Sequence, residues 1–401
     1  MTTRQSVRNQ AALLTAAYYA VLFMVLGAHL PYWPVWLAEW GLTEAEIGEL
    51  LGWTTLARIV GSTVLPALAD RFAIRRGMVA MTALAAACVS AVLLAGVETY
   101  AGLMAVCLAG ALAIAPPVPL GEALGVRASE QFQFSYPVIR AAGSAGFLAA
   151  NLGVGAVIGQ WGPDIVLWIG LIGFVAVAIL GLIHPGGGAE ASTGMGRTNA
   201  ADIRALLSSP VFPLLGVTAA LGQGAHAVYY AFSVLDWQTR GISAVTTGQL
   251  WAFSVLVETV FMLTVGRAWV ARLGPAKALG LAALAGVLRW AAMVSGPTGL
   301  ALWGLQGLHA LTFALGHLAA IAFVAAAIPA QLVATAQGVV SGVLAGGIHA
   351  CALFVAGSVI AWGGVEAGYA MSSAMAAASA GLALVLMSVW QGQRLMEPGE
   401  T

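Results

Sequence analysis

Residues Ala28–Trp40 read AHLPYWPVWLAEW, and residues Ala225–Trp237 repeat this stretch in the form AHAVYYAFSVLDW. The histidine, one tyrosine and the final tryptophan of the second copy each follow their counterparts by 197 residues (226 − 29 and 237 − 40). Each copy ends an apolar run that is long enough to cross a membrane. A chain of 401 residues that restarts near its midpoint is predicted to consist of two similar halves.

The amino-acid composition indicates a protein that is embedded in lipid. Hydrophobic residues are 60% of the sequence and charged residues only 8%, whereas a soluble domain has roughly 25% charged residues. The formal net charge is zero, which argues against a nucleic-acid partner. The three cysteines (Cys88, Cys107 and Cys351) lie in apolar runs at no metal-like spacing, so we expect neither a metal site nor a cofactor.

The sequence predicts an all-α membrane protein with twelve transmembrane helices in two pseudo-symmetric six-helix bundles. A helix needs about 20 apolar residues to cross the hydrocarbon core. The runs that meet this length fall near residues 11–37, 47–69, 77–97, 100–125, 137–159, 164–184, 211–236, 246–268, 275–295, 298–327, 335–361 and 366–391. The predicted domains are therefore residues 1–184, a cytoplasmic linker at 185–210, and residues 211–401.

The distribution of charge predicts the orientation. Basic residues fall in alternate connections and acidic residues in the opposite ones, with Arg240 as the basic exception. By the positive-inside rule both termini and the linker are cytoplasmic. The first run is too long for a signal peptide, so we expect it to be an uncleaved first crossing.

Small residues and tryptophans also repeat between the halves. Trp161-Gly162 ends the fifth run, and Trp362-Gly363 ends the eleventh. Glycines at a spacing of three or four residues precede both of these dipeptides: Gly143 and Gly146 in the first half, and Gly338, Gly342 and Gly346 in the second. Such glycines let helix backbones approach closely in lipid, so we expect helix contacts there.

Ionisable residues inside the apolar runs are the candidates for function, because each costs about 2.5 kcal/mol or more at bilayer depth. Five qualify: Arg58, Glu122, Arg140, Glu258 and Arg289. Arg58 and Glu258 are equivalent in the two halves (258 − 58 = 200). Opposite charges at matched positions predict a central cavity with one anion-facing and one cation-facing wall, or else a structural salt bridge between the halves.

Two helices carry further polar features. Pro116, Pro117 and Pro119 should break the fourth helix just before Glu122, and interrupted helices often build transporter binding sites. On the tenth helix one face holds Gln306, His309, Phe313 and His317. These histidines either relay protons or pack as hydrogen-bonded residues. Arg140 lies near the cytoplasmic start of the fifth helix, where snorkelling to the interface is the alternative.

The segment Asp70–Arg76, DRFAIRR, follows the second helix. Its charged residues Asp70, Arg71, Arg75 and Arg76 could latch neighbouring helices, or could serve only as positive-inside anchors. Twelve helices in two halves with this motif resemble the major facilitator superfamily, although Pro66 and Ala73 stand where the family has glycines. The resemblance implies a monomeric, multi-pass transporter of the bacterial inner membrane that works by alternating access.

A narrower resemblance is to the group that includes lactose permease and the 3-phenylpropionate permeases. The matching positions are Pro31–Leu37, the Glu122 and Arg140 pair, Glu258, Arg289 and His309. Where lactose permease has its proton-carrying tenth-helix glutamate, this chain has Thr312, and Gln306 replaces a lysine. The resemblance therefore implies that Glu258, with His309 and Arg289, couples transport to protons, and Glu122 is the other buried carboxylate.

The expected function is proton-coupled import of a small organic molecule such as an aromatic carboxylate. The arginines would attract the carboxylate and the aromatic residues would hold the ring, which gives the predicted substrate-binding set: Arg58, Glu122, Arg140, Tyr32, Tyr230, Phe313 and Gln306. The Glu122 and Arg140 pair equally suits a sugar or nucleoside. A non-transporting receptor or scaffold is a further alternative. We expect no enzyme, because the sequence has no H-E-x-x-H motif or other supported catalytic residue. The expected partners are the substrate, protons and lipid.

Overall fold

A computed structural model describes residues 3–187 and 200–395. In these ranges the chain forms helices and no strands. The α-helices are α1 Thr3–Trp40, α2 Glu44–Arg71, α3 Arg75–Ala95, α4 Tyr100–Ile114, α5 Pro117–Phe132, α6 Tyr136–Trp161, α7 Ile165–Leu182, α8 Ala200–Ser208, α9 Val211–Gly224, α10 Ala227–Thr239, α11 Ala244–Leu263, α12 Gly266–Leu273, α13 Pro275–Val294, α14 Gly299–Gly307, α15 Gly316–Ala327, α16 Val333–Gln337 and α17 Ala345–Val389. Two π-helical segments, Ala310–Leu315 and Gly338–Leu344, lie between them.

The predicted all-α membrane architecture is confirmed. Ten helical stretches of the described chain are long and apolar enough to cross a membrane. One of them, Val333–Val389, contains two crossings, because Gly363 and Gly364 leave helical geometry within it and Gly364 has a φ of +73°. Helix α2 is not among the ten, although its 28 residues exceed the length that a crossing needs. Counting α2 and dividing α17 gives twelve.

The helices form two units. Unit 1 contains the chain up to Leu42, the helices from Trp53 to α7, and Val234–Ala252. Among the described residues, unit 2 contains Thr43–Gly52, the chain from the start of α8 to Ser233, and the chain from Phe253 onward. Each unit thus takes most of one sequence half and a short segment of the other. Inside unit 1, α1 packs on α6 and α7, and α3 packs on α7; inside unit 2, α9 and α13 both pack on α17.

Glycines set the close contacts in unit 1. A Cβ placed on Gly146 of α6 would lie 2.1 Å from the backbone oxygen of Ala20 in α1, and one on Gly143 would lie 3.1 Å from the Phe23 ring. The helix contact predicted from these two glycines is therefore present. The matching prediction is wrong for Gly338 and Gly342, which have open space where a Cβ would stand.

Two short segments belong to the unit that is built mainly from the other sequence half: Val234–Ala252 in unit 1 and Thr43–Gly52 in unit 2. Each packs closely on its unit through a glycine. In unit 1, a Cβ on Gly248 would lie 2.4 Å from the backbone oxygen of Asn151, and one on Gly155 would lie 2.7 Å from that of Ala244. In unit 2, a Cβ on Gly48 would lie 2.6 Å from the backbone oxygen of Leu353. Gly48 and Gly248 are 200 residues apart, so the repeated sequence produces the same kind of backbone contact twice.

A hydroxyl group caps the turn before each of these segments, and the capping is reciprocal at Thr43. The backbone N–H of Thr43 donates to Glu46 Oε2 at 2.9 Å, and the Glu46 N–H donates back to the Thr43 hydroxyl at 3.3 Å. In the second half the Thr246 N–H donates to the Ser243 hydroxyl at 3.1 Å. Such reciprocal capping satisfies N–H groups that the first helical turn leaves free.

The two copies of the opening motif differ in backbone. Helix α1 continues through Pro31 and Pro34, whereas the proline-free second copy is interrupted between α9 and α10, at Ala225 and His226. Of the predicted linker, residues 188–199 lie outside the described chain. Its later part forms the short helix α8, so the linker is helical before α9 begins.

Candidate functional site

Unit 2 holds a buried polar network around Arg289 of α13. The side chain is fully buried. Its Nη1 donates to His309 Nδ1 at 2.9 Å and to the Thr312 hydroxyl at 3.0 Å, and its Nη2 donates to Gln306 Oε1 at 3.1 Å. All three acceptors are neutral groups: Gln306 lies in α14, Thr312 lies in the first π-helical segment, and His309 lies between these two elements.

Aromatic faces complete the surroundings of the Arg289 guanidinium. Its Cζ lies 4.9 Å from the ring centroid of Tyr229 and 4.5 Å from that of Trp290. Such cation–π contacts stabilise a desolvated cation by up to about 2 kcal/mol. They leave the charge in place, so a counter-charge within the network is still needed.

Glu258 of α11 supplies this counter-charge through His309. Its Oε2 lies 3.2 Å from His309 Nε2. A guanidinium can only donate, so His309 Nδ1 must accept from Arg289 and carries no proton. The single ring proton of His309 is then on Nε2, where it is donated to Glu258. The geometry therefore makes His309 a neutral bridge between the Arg289 cation and the Glu258 carboxylate.

A second histidine continues the network on the other side of Thr312. His226 Nδ1 lies 3.2 Å from the backbone oxygens of Gly222 and Gln223, which can only accept, so this nitrogen carries the proton. His226 Nε2 lies 3.1 Å from the Thr312 hydroxyl. Since that hydroxyl oxygen accepts from Arg289, its proton is donated to His226. The break between α9 and α10 is what brings His226 to this position.

The predicted tenth crossing, which α14, the first π-helical segment and α15 form, positions the rings of this network. Its π-helical segment Ala310–Leu315 begins directly after His309, and π-helical turns are frequent at functional sites. The Phe313 ring is stacked against His309 at 5.2 Å between centroids and against His317 at 6.1 Å. Both faces of Phe313 are therefore covered by histidines.

Unit 1 holds the other pair of opposite charges. Helix α4 ends at Ile114 and α5 begins at Pro117, as the prolines predict. Glu122 of α5 lies with its Oε1 3.8 Å from Arg140 Nε of α6, and the side chains are 49% and 28% exposed. The Arg140 guanidinium also lies over the rings of Tyr19, at 5.2 Å, and Phe23, at 4.1 Å. A partly exposed donor and acceptor at this spacing can bind a polar ligand.

Of the predicted substrate-binding residues in unit 1, Arg58 is exposed and Tyr32 is buried. Arg58 is exposed along α2, and its charge interacts with His29 of α1. Tyr32 is fully buried, and its hydroxyl donates to the backbone oxygen of Asn151 at 3.1 Å. The position of Tyr32 therefore supports packing of α1 against α6 instead of the predicted ring contact.

Known proteins agree with this architecture. A family model described as the MFS_1 like family matches residues 13–371. The chain belongs to this family. It is 30% identical over 347 residues to the probable 3-phenylpropionic acid transporter of Escherichia coli (strain K12), and the alignment covers 84% of this chain and 88% of that protein. The resemblance to major facilitator transporters is thereby confirmed.

Solved structures share the fold of this MFS_1 like protein. A crystal structure of a mutant of the nucleoside transporter NupG matches with a TM-score of 0.83 at 18% identity, over 95% of this chain and 100% of that one. A bacterial homologue of the human lysosomal transporter Spinster matches with a TM-score of 0.71 at 12% identity, over 96% and 97%. Family and fold make the chain a multi-pass membrane transporter and not an enzyme.

The charged segment Asp70–Arg76 of the transporter contains one ion pair between helices among the described residues. Asp70 and Arg75 form a hydrogen-bonded ion pair that joins the end of α2 to the start of α3. The Arg71 guanidinium instead lies 5.6 Å from the ring centroid of its neighbour Phe72. The Arg76 Nε is buried without a hydrogen-bond acceptor in the described chain. Of the four predicted latch residues, Asp70 and Arg75 therefore form the ion pair that joins the two helices.

Part of the Arg289 network could not be predicted from the sequence. Gln306 is fully buried and holds Arg289, so its geometry favours support of that cation over the predicted substrate contact. His226 and Thr312 had no assigned role, although His226 stands in the repeated motif. Tyr229 and Trp290 were also overlooked, because residues that cover a cation give no periodic signal in a chain that is apolar throughout.

Proposed function

We propose that the transporter imports an aromatic carboxylate together with a proton, by alternating access. The observation that carries the proposal is the bridge from Arg289 through His309 to Glu258, with its distances of 2.9 and 3.2 Å. Glu258 is the only carboxylate that contacts this network within the described residues. Protonation of this one group therefore changes the charge of the whole network.

The proposed coupling follows from charge balance. With Glu258 ionised, the network holds one cation and one anion. Protonation of Glu258 leaves the buried Arg289 without a counter-charge, which is costly in an apolar interior. A substrate carboxylate, which Arg58 of unit 1 would attract, returns the net charge of the whole transporter to its value before protonation. Proton and anion then bind more favourably together than either does alone, which is the thermodynamic basis of symport.

The substrate class rests on two supports. Arg58 is exposed in unit 1 and offers a cation to a carboxylate. The Escherichia coli relative carries the name of a probable 3-phenylpropionic acid transporter. Import requires the orientation predicted from the loop charges, with both termini in the cytoplasm of a bacterium, and we propose that one polypeptide is sufficient.

Uptake by proteoliposomes tests the proposal. The wild-type protein should accumulate 3-phenylpropionate against its gradient when the outside is acidic. Glu258→Gln should abolish accumulation but retain counterflow, because an amide accepts the same hydrogen bond from His309 and cannot carry a proton. Accumulation by Glu258→Gln at the wild-type level would exclude Glu258 as the proton carrier. Glu130→Gln, at the exposed end of α5, is the matched control.

A sugar or nucleoside is the second candidate substrate. It is favoured by the Glu122 and Arg140 pair, which offers an acceptor and a donor to hydroxyl groups, and by the fold shared with NupG. A thermal-shift screen of the purified protein separates the candidates. Stabilisation by nucleosides or sugars that Glu122→Gln abolishes would favour the second substrate class, whereas stabilisation by aromatic acids alone would favour the first.

A further inference from the structure

Three rings form a column along one face of α1. The ring centroids of His29 and Trp33 are 4.8 Å apart with an interplanar angle of 18°, and those of Trp33 and Trp36 are 5.0 Å apart at 5°. The spacing of four and then three residues places all three on the same helix face. The whole column lies within unit 1.

The two ends of the column differ. At one end the Trp36 Nε1–H donates to Asp164 Oδ1 at 2.8 Å, and Trp36 and Trp33 are only 6% and 7% exposed. At the other end His29 is half-buried. Trp33 covers one face of its ring, and no second ring stacks on the other face among the described residues. The stack is closed at Trp36 and open at His29.

The open end is polar and cationic. Neither ring nitrogen of His29 has a hydrogen-bond partner in the part of the chain that the structure describes, and the charged neighbour of His29 is Arg58. Arg58 likewise forms no ion pair with a described carboxylate. A cation and an unsatisfied ring beside each other in an intramembrane helix pair are typical of a ligand-binding surface.

The other candidate rings are already engaged. Tyr32 is fully buried. Phe313 has His309 on one face and His317 on the other. Tyr230 is stacked on His226 at 5.7 Å between centroids. His29 is the ring on this part of α1 that still has a face to offer.

We propose that the aromatic ring of the substrate stacks on the open face of His29, as the next member of the His29–Trp36 column, while its carboxylate pairs with Arg58. This inference rests on the proposed function, because it names the subsite for the ring of an aromatic carboxylate. It assigns ring selectivity to His29 and charge selectivity to Arg58.

Two acids of nearly equal size separate ring stacking from apolar burial. 3-Phenylpropionate has a π face, and 3-cyclohexylpropionate does not. Binding of each is measured on the purified transporter by competition against radiolabelled 3-phenylpropionate. Wild type should prefer the phenyl acid by about 3- to 10-fold, the range that a single aromatic contact gives.

Variants of His29 should change only the preference for the ring. His29→Leu keeps an apolar surface without a π face, so the preference should fall to about 1-fold. His29→Phe restores a ring and should retain it. Arg58→Gln should weaken binding of both acids equally and leave their ratio unchanged. Thermal unfolding of each purified variant establishes that it is folded.

Several results overturn the inference while the proposed function stands. One is transport of both acids by wild type with no preference between them, a result that needs no folded variant. Another is an unchanged preference in folded His29→Leu, and a third is loss of the preference in Phe313→Leu, which would move the ring to unit 2. Failure of wild type to bind either acid would overturn the proposed function itself.

Discussion

Ala73 shows how a single residue can carry strain between two helices. It stands in the turn between α2 and α3 with a φ of +54°, where an alanine costs about 1 kcal/mol relative to glycine. The resemblance to the superfamily had marked this position as one where relatives have glycine. The structure supplies the physical reason, because the chain must turn there so that Asp70 can reach Arg75.

Ala73→Gly should therefore stabilise the transporter by up to about 1 kcal/mol. The measurement is thermal unfolding of the purified protein in detergent. Ala141→Gly, on the exposed face of α6, is the matched control and should destabilise by about the same amount, because glycine weakens a helix interior. A lower unfolding temperature for Ala73→Gly than for wild type would contradict the reading of the turn.

Thr312 is the second residue whose chemistry makes a sharp prediction. Its hydroxyl accepts from Arg289 and donates to His226. Thr312→Val keeps the shape and removes both bonds, so it should destabilise the protein by about 1–3 kcal/mol and slow proton-driven uptake more than counterflow.

The control for Thr312 is Thr218→Val. Thr218 is also buried, but its hydroxyl donates only to the Leu214 backbone oxygen of its own helix, at 2.6 Å. Thermal unfolding and transport of the two variants should therefore differ. Equal losses would mean that the Thr312 hydroxyl does nothing more than an ordinary buried threonine.

Some of the site could be predicted from the sequence for a simple reason. A charge in an apolar run stands out, which is how Arg58, Glu122, Arg140, Glu258 and Arg289 were identified. The family resemblance grouped Glu258 with His309 and Arg289, but the residue pattern alone did not show the contact between Glu258 and His309, because the two lie on different helices and the π-helical segment after His309 has no signature in its composition. Partners that are apolar or neutral, such as Trp290 and Thr312, cannot stand out in this way.

At the scale of the helix, glycine position decides where backbones meet. Gly146 allows α6 to approach the Ala20 backbone oxygen, which lies 2.1 Å from where a Cβ would stand. Gly153 of the same helix has open space at that point. The sequence shows the spacing of glycines but not the direction in which each one faces, which is why Gly146 was predicted correctly and Gly338 was not.

Gly146→Ala should separate α1 from α6 and destabilise the transporter by about 1–3 kcal/mol, the usual cost of overpacking. Gly153→Ala should be neutral or stabilising by up to about 1 kcal/mol, because alanine favours the helix. The unfolding temperatures of the two variants in detergent check this. Equal effects of both substitutions would show that α1 and α6 do not meet at Gly146.

At the scale of the molecule, the repeat of Ala28–Trp40 at Ala225–Trp237 correctly predicted two similar halves. It did not predict that Thr43–Gly52 and Val234–Ala252 each belong to the unit built mainly from the other half. Internal similarity reports how segments correspond, whereas these contacts depend on where Gly48 and Gly248 come to lie in three dimensions. The break at His226 was also hidden, since the first copy has the prolines and the second has the break.

The central claim is that one proton enters with each carboxylate by way of Glu258. The direct measurement uses proteoliposomes with an internal pH indicator, a clamped membrane potential and radiolabelled 3-phenylpropionate, with protein-free liposomes as the blank for passive entry of the acid. Wild type should acidify the interior by one proton per carboxylate at every potential, because the two charges cancel, and net acidification by Glu258→Gln should not exceed that of the protein-free blank. Carboxylate uptake by wild type without acidification, or undiminished acidification in Glu258→Gln, would contradict the account.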